Sequence, residues 1–400
     1  GTKSWNNSID YFNKVIKLQP NFPNVYSTGA ISYIALAQAQ IAHGVDPRTN
    51  LNEAIQDCQK AAKLSPDSVA ALNTLGTAYI ILAEFERRHG LNAESSIKNA
   101  ADALNKAVAV SPKHPVPHEN LSTVYYDRAR DELNSGKNPW NSVQQSLSSA
   151  QKTIELGGDA YPTAYSIAGR ALSVEAQYKA LMGENPADLL SQSNEKLLNS
   201  MKLGSNEPLT VYTALLNNDC IQADFEIDKK GDPSAPLNNA RKIYKKAASE
   251  LHDSSLEIWN AKVEIFYAKW QIQKGQLAEP SLDAANEALQ YALKQNSSDT
   301  FLFITFAELM ELKAELLRQK KQRVDDVVSR GLSFTKKALS INPKEAEAFI
   351  FEGKLQAIGG ESEPAKKSFD QAFVINSNLR RKYSPISESL IVSSSSANQK

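Results

Sequence analysis

The stretch "HGVDPRTN", His43 to Asn50, ends one helical pattern and begins another. Gly44 suits the left-handed position that closes a helix, because it has no Cβ to clash there. Asp46 offers a carboxylate to the free amides of the next helix, and Pro47 fits a first helical position where no amide donor is needed. The stretch therefore reads as a helix–helix turn. It recurs as "HGLN" at His89, "GKNP" at Gly136, "GENP" at Gly183, "GDP" at Gly231 and "GESEP" at Gly360.

Working outward, the turn glycines Gly44, Gly90, Gly136, Gly183, Gly231 and Gly275 are spaced by 44 to 48 residues. Two further markers keep the same register. "KLQP" at Lys17, "KLSP" at Lys63 and "AVSP" at Ala109 end successive units, and Tyr33, Tyr79 and Tyr125 recur at 46 residues. A sustained period of this length is the mark of a repeat array, in which each unit buries its apolar face only against its neighbours. Each unit reads as two helices. Leu72, Leu75, Tyr79 and Leu82 form one amphipathic stripe, and Ile97, Ala101, Leu104 and Val108 form the next. The Pro of each "SP" or "NP" pair ends the second helix.

The pattern within each unit resembles the tetratricopeptide repeat (TPR). The matching residues in one unit are Leu72, Leu75, Gly76 and Tyr79, then Ala100, Leu104, Ala107 and Pro112. The usual period is 34, so these units carry about twelve extra residues around the internal turn. The resemblance implies an all-α, right-handed TPR-like α-solenoid of roughly 16 to 17 antiparallel helices. The expected organisation is the second helix of a truncated repeat over residues 1–20, then seven elongated hairpins over 21–343. A standard-length repeat over 344–376, a closing helix over 377–392 and a Ser-rich tail over 393–400 follow. The tail composition predicts no fixed structure. Long repeats with this turn, and the ending "INSNLRRKYSPISESL" with Leu379 and Tyr383, resemble the C-terminal arrays of some bacterial serine/threonine protein kinases. The kinase motifs themselves are not in this chain.

Composition narrows the function. Lys and Arg together equal Asp and Glu, so the formal net charge is zero and nothing points to nucleic acid or an anionic membrane. No apolar run is long enough for a membrane span. Cys58 and Cys220 fit no metal or redox spacing. His43 and His89 sit beside turns, and His114 and His118 straddle prolines, so no metal site and no cofactor are expected. The sequence offers no nucleophile elbow, phosphate loop or paired carboxylates, so no catalysis is expected.

What remains is a binding surface. In such arrays the first helix of each unit lines the concave side. In this register that side carries Asn73, Thr77 and Ile80, then Glu119, Thr123 and Tyr126, then Tyr165. Apolar anchors flanked by polar groups suit a peptide segment of a protein partner. Trp259, Phe266 and Trp270 lie on one aromatic helix, read as core or, where exposed, as a contact patch. "RQKKQR", Arg318 to Arg323, replaces the usual turn and reads as a solvated loop. A second function follows from the ends. An unpaired first helix with Trp5, Ile9 and Phe12, and a closing helix with Leu379 and Tyr383, offer surfaces for head-to-tail self-assembly into a filament. A kinase array implies the cytoplasm and a filament subunit the cell exterior.

Overall fold

The computed structural model describes residues 2–295 and 299–397. Among them are eighteen α-helices and no strand, so the fold is an all-α TPR-like array of paired helices. The first helices of the hairpins, here A helices, are α2 (Pro23–Ala42), α4 (Val69–Arg88), α6 (Pro115–Asn134), α8 (Pro162–Leu181), α10 (Pro208–Asp228), α12 (Ser255–Gln273), α14 (Thr300–Gln319) and α16 (Ala346–Ile358). The B helices are α1 (Thr2–Leu18), α3 (Arg48–Leu64), α5 (Glu94–Val110), α7 (Trp140–Gly157), α9 (Ala187–Lys202), α11 (Ser234–Glu250), α13 (Glu279–Gln295), α15 (Asp325–Ile341) and α17 (Ser362–Ile375). The closing helix α18 spans Arg380–Ala397. The eighteen are eight A helices, nine B helices and the closing helix, as the expected organisation of one unpaired helix, eight hairpins and a closing helix requires, against the rough figure of 16 to 17. The helical backbone of α18 takes in Ser393 to Ser396, where composition predicts no fixed structure; residues 398–400 lie outside the described residues.

The extra length of the repeats is in the helices. α2, α4, α6 and α8 each have 20 residues, whereas α16 in the last hairpin has 13. The B helix α3 packs between two A helices. Leu51, Ala54 and Cys58 of α3 share one core with Ala30, Ile34 and Ala37 of α2 and with Leu75, Ala78 and Leu82 of α4. Gly76 permits the same closeness between α4 and α5, since a Cβ there would lie 2.5 Å from Leu104 Cγ. Tyr33 and Tyr79 are half-buried in the core around α3, and Gln59 Nε2 donates to the Tyr79 hydroxyl at 3.3 Å. Cys58 and Cys220 are buried free thiols. Burial, then the nearby Asp57 charge, pushes the Cys58 thiol up to about 12, which suits packing and not reactivity.

The turns explain the repeat. At the first, Val45 N–H donates to Gln40 O at 2.8 Å and Gly44 N–H to Ile41 O at 3.1 Å, the paired bonds of a Schellman closure. Asp46 Oδ1 accepts from Arg48 N–H at 2.9 Å, as the sequence predicts, although the helix begins one residue later, after Pro47. Asn92, Asn185 and Asp232 repeat the bond before α5, α9 and α11. Two turns depart from the glycine rule. Lys230, and not Gly231, takes the left-handed conformation with φ 58°, and Lys321 does so with φ 56°. The left-handed position is thus more regularly spaced than the glycines that mark it elsewhere.

The chain divides into two compact units, one of residues 1–131 and 140–171, the other of residues 132–139 and 172–400. No helix among the described residues is long and apolar enough to cross a membrane.

Candidate interaction surface

In the first unit, the predicted strip lies on α4, α6 and α8. Asn73, Thr77, Ile80, Glu119, Thr123 and Tyr165 are half-buried, while Tyr126 is buried. The backbone sets the hydroxyls: Thr77 Oγ1 donates to Asn73 O at 3.1 Å, and Thr123 Oγ1 to Glu119 O at 3.3 Å. Asn73 and Thr77 are drawn to one residue that the sequence reading missed. Asn120 Nδ2 donates to Asn73 Oδ1 at 2.9 Å and reaches Thr77 Oγ1 at 3.5 Å, bridging α4 and α6. The missed signal was the recurrence of Asn one repeat later. Ile80 packs on the cluster around Leu104 and Leu121 and forms part of the apolar floor. Tyr126 is clasped by cations, with Arg170 Cζ 4.3 Å and Arg130 Cζ 5.5 Å from its ring centre.

Beside this polar ladder is a buried charge network, also missed. Arg87 on α4 pairs with Glu84 on its own helix, and with Asp127 at 3.1 Å and Asp131 at 2.8 Å on α6. Burial works against Glu84 ionising, yet Arg87, Arg130 and Arg88 hold its carboxyl well below the usual range. Burial pushes Asp127 up despite Arg87 and Arg130. Arg87 thus touches all three carboxylates, Arg130 reaches Glu84 and Asp127 at 3.7 Å, and the ionisation costs of the three are unequal.

The second unit places equivalent links between its own A helices. Asn217 Nδ2 on α10 donates to Ser173 Oγ on α8 at 3.3 Å. Glu308 on α14, 2% exposed, sits between Lys262 and Lys269 of α12. Burial would raise its carboxyl, but the two ammonium groups hold it well below the carboxylate range. Lys354 on α16 meets Glu311 on α14 at 2.8 Å. Asp219 takes a neutral partner: Asn239 Nδ2 donates to it at 2.9 Å, and burial pushes its carboxyl up to about 7.

The other predicted positions separate. Phe266 is buried, and Trp259 and Trp270 are partly buried on the same core, so this helix presents no open aromatic patch. His89 Nδ1 bonds to Phe85 O at 2.8 Å, and His118 Nε2 to Pro112 O at 3.0 Å. Among the described residues no three His, Cys, Asp or Glu side chains converge to hold a metal. At the ends, Ile9 is buried, Phe12 half-buried and Trp5 38% exposed. Leu379 is buried on α16 and α17, with half-buried Tyr383 against the same cluster, so neither stands free as an assembly surface.

No family model and no curated protein matches the chain. Similar solved structures include TTC0263, a thermophilic TPR protein of Thermus thermophilus, 16% identical over 53% of this chain and 91% of that one, with a TM-score of 0.36. Yeast Tom70 is 12% identical over 98% of this chain and 93% of that one, at 0.40. Human IFIT1, in a dimer with PPP-AAAA, is 15% identical over 93% of this chain and 69% of that one, at 0.46. Likenesses this distant say nothing of what the chain binds; the fold rests on its own hairpins and turns.

Proposed function

We propose that the chain is a non-catalytic protein-interaction scaffold that takes a peptide segment of a protein partner along a concave side formed by its A helices. The observation that carries this is the run of half-buried polar side chains on consecutive A helices, Asn73 and Thr77, Glu119 and Thr123, then Tyr165. Ile80 supplies apolar floor beside them, and the Arg87 network gives the strip a fixed backing. Apolar anchors with polar contacts alongside are what an extended or helical peptide needs. The resemblance of the repeats to bacterial kinase arrays supports a role in bringing substrates or regulators to a kinase domain. The test is a photo-crosslinking amino acid at Thr123 or at exposed Lys106 on α5. Partner adducts are expected from Thr123 and not from Lys106; the reverse pattern, or equal labelling, overturns the reading.

A second reading, self-assembly, is favoured by α1. Trp5 stands at the register position that Leu51 holds in α3, and Leu51 is fully buried whereas Trp5 is 38% exposed. Tyr11 and Leu18 on α1 are also exposed. Light scattering across a wide concentration range separates the two readings. A mass that climbs without limit, and returns to that of one chain on Trp5→Glu, selects assembly; a constant single-chain mass excludes it.

A further inference from the structure

Within the second unit, three helix ends and two carboxylates meet one basic segment. The C-terminal ends of α6, α8 and α10 carry carbonyls without intrahelical partners and a partial negative charge. Asn376 to Tyr383 lies against all three. Ser377 Oγ donates to Gly136 O at 3.3 Å, Asn378 Nδ2 to Lys137 O at 3.4 Å and Arg381 Nη1 to Leu181 O at 3.3 Å. Lys382 Nζ meets Asp224 Oδ2 at 2.5 Å and Asp228 Oδ2 at 2.8 Å. In these five contacts the receiving surface supplies only acceptors and the segment only donors. Leu181 and Tyr383 both pack against the apolar cluster that holds Leu379.

The turns beneath the segment are fitted to it. A Cβ on Gly136 would lie 2.5 Å from Ser377 N, and one on Gly183 would lie 1.9 Å from Arg381 Nη1. At the same position of two other turns, Gly44 and Gly275, a Cβ would meet nothing within 4 Å. Glycine is therefore needed twice over at 136, for the left-handed turn and for close approach to the Ser377 backbone, while at 183 the left-handed turn requires it and the Arg381 guanidinium packs over it. In the ion pair that completes the contact the Lys382 side chain is 14% exposed and those of Asp224 and Asp228 are 36% and 44% exposed, so the pair opens to solvent on its acceptor side.

We propose that this acceptor-lined surface recognises a basic–aromatic helical segment of a protein partner, and that the chain's own Asn376–Tyr383 occupies it as an intramolecular competitor. The inference rests on the scaffold reading and adds a second surface with a defined partner chemistry. A tethered competitor acts at an effective concentration on the order of millimolar, so a partner binds well only when the tether's grip is loosened.

The test uses the full chain and a fluorescent peptide reproducing Asn376 to Ser387. Lys382→Glu sets a carboxylate against Asp224 and Asp228 and frees the surface. The peptide is expected to bind Lys382→Glu at least tenfold more tightly than the wild-type chain. Adding Asp224→Asn and Asp228→Asn to that variant is expected to remove the gain. Equal affinity for both chains, or binding to neither, with both shown folded by thermal melting, overturns the proposal. If Lys382→Glu does not fold, Lys382→Ala takes its place with the same expected direction and the same overturning result. Crosslinking at Thr123 is read separately: adducts there without peptide binding sink this inference alone, and peptide binding without adducts sinks the groove reading alone.

Discussion

The two units solve one problem with opposite charges. In the first, a central cation, Arg87, is shared by carboxylates on its own and the next A helix. In the second, a central anion, Glu308, is shared by two lysines of the preceding A helix, 39 and 46 residues back. Asp127 and Asp131 stand 40 and 44 residues after Arg87. The spacing is that of the repeat, and the sign is free. What the difference teaches is that neighbouring A helices fix a place for a buried polar link, while the sequence chooses which ion occupies it.

Removing the central ion is the strongest way to break this comparison. Glu308→Ala leaves two ammonium groups partly buried and unpaired, and Arg87→Ala removes the cation nearest to the buried Asp127 and to Asp131. Each is expected to cost about 3–5 kcal/mol in chemical denaturation. A small loss at one and a large loss at the other would show the two networks to be unlike. A packing control comes next. Gly76→Ala drives a methyl into Leu104 within hairpins that the charge network also joins, and is expected to cost about 1–3 kcal/mol.

The pH response sharpens the contrast. Asp219 has a folded value of about 7, above its unfolded value of about 3.9. Its ionisation therefore opposes folding fully above pH 7, and the penalty lifts as pH falls from 7 towards 4. Asp219→Asn is expected to stabilise the second unit at pH 8 and to flatten its stability over that window, followed by urea melts at several pH values. Glu308 acts in the opposite sense. Its lowered value gives stability that is present above the ordinary glutamate range and lost as pH falls through the folded value. The smallest expected effect is at the turns. Lys230→Gly and Lys321→Gly relieve a left-handed non-glycine residue and are each expected to raise stability by about 0.5–1 kcal/mol.

Those turns also show what was legible in the sequence. Gly44 with Asp46 predicts both the Schellman closure and the bond to Arg48, because both are local backbone requirements. Gly231 misleads by one residue, since the helix end is set by the Lys230 N–H bond to Ile227 O and the Gly231 N–H bond to Glu226 O, and not by where glycine falls. The core stripes of α3 and α5 are legible because burial follows the helical period. That Asn73 and Thr123 fall on A helices is legible, but their links are not. Asn120, Arg87 and Glu308 act across helices 40 or more residues apart in most cases, and no local pattern announces such a pair. Leu379 and Tyr383 read as an exposed end because a terminal helix normally is one; here the chain folds them onto its own surface.

The most direct test of a fixed place with a free sign is to exchange the Glu311–Lys354 pair, which sits 2.8 Å apart with both side chains largely buried. Glu311→Lys and Lys354→Glu are made singly and together, and stability is measured by urea denaturation. Each single change brings like charges together and is expected to lose about 3–5 kcal/mol, while the exchanged pair returns to within about 1 kcal/mol of the native chain. An exchanged pair as unstable as the sum of its singles would contradict the account.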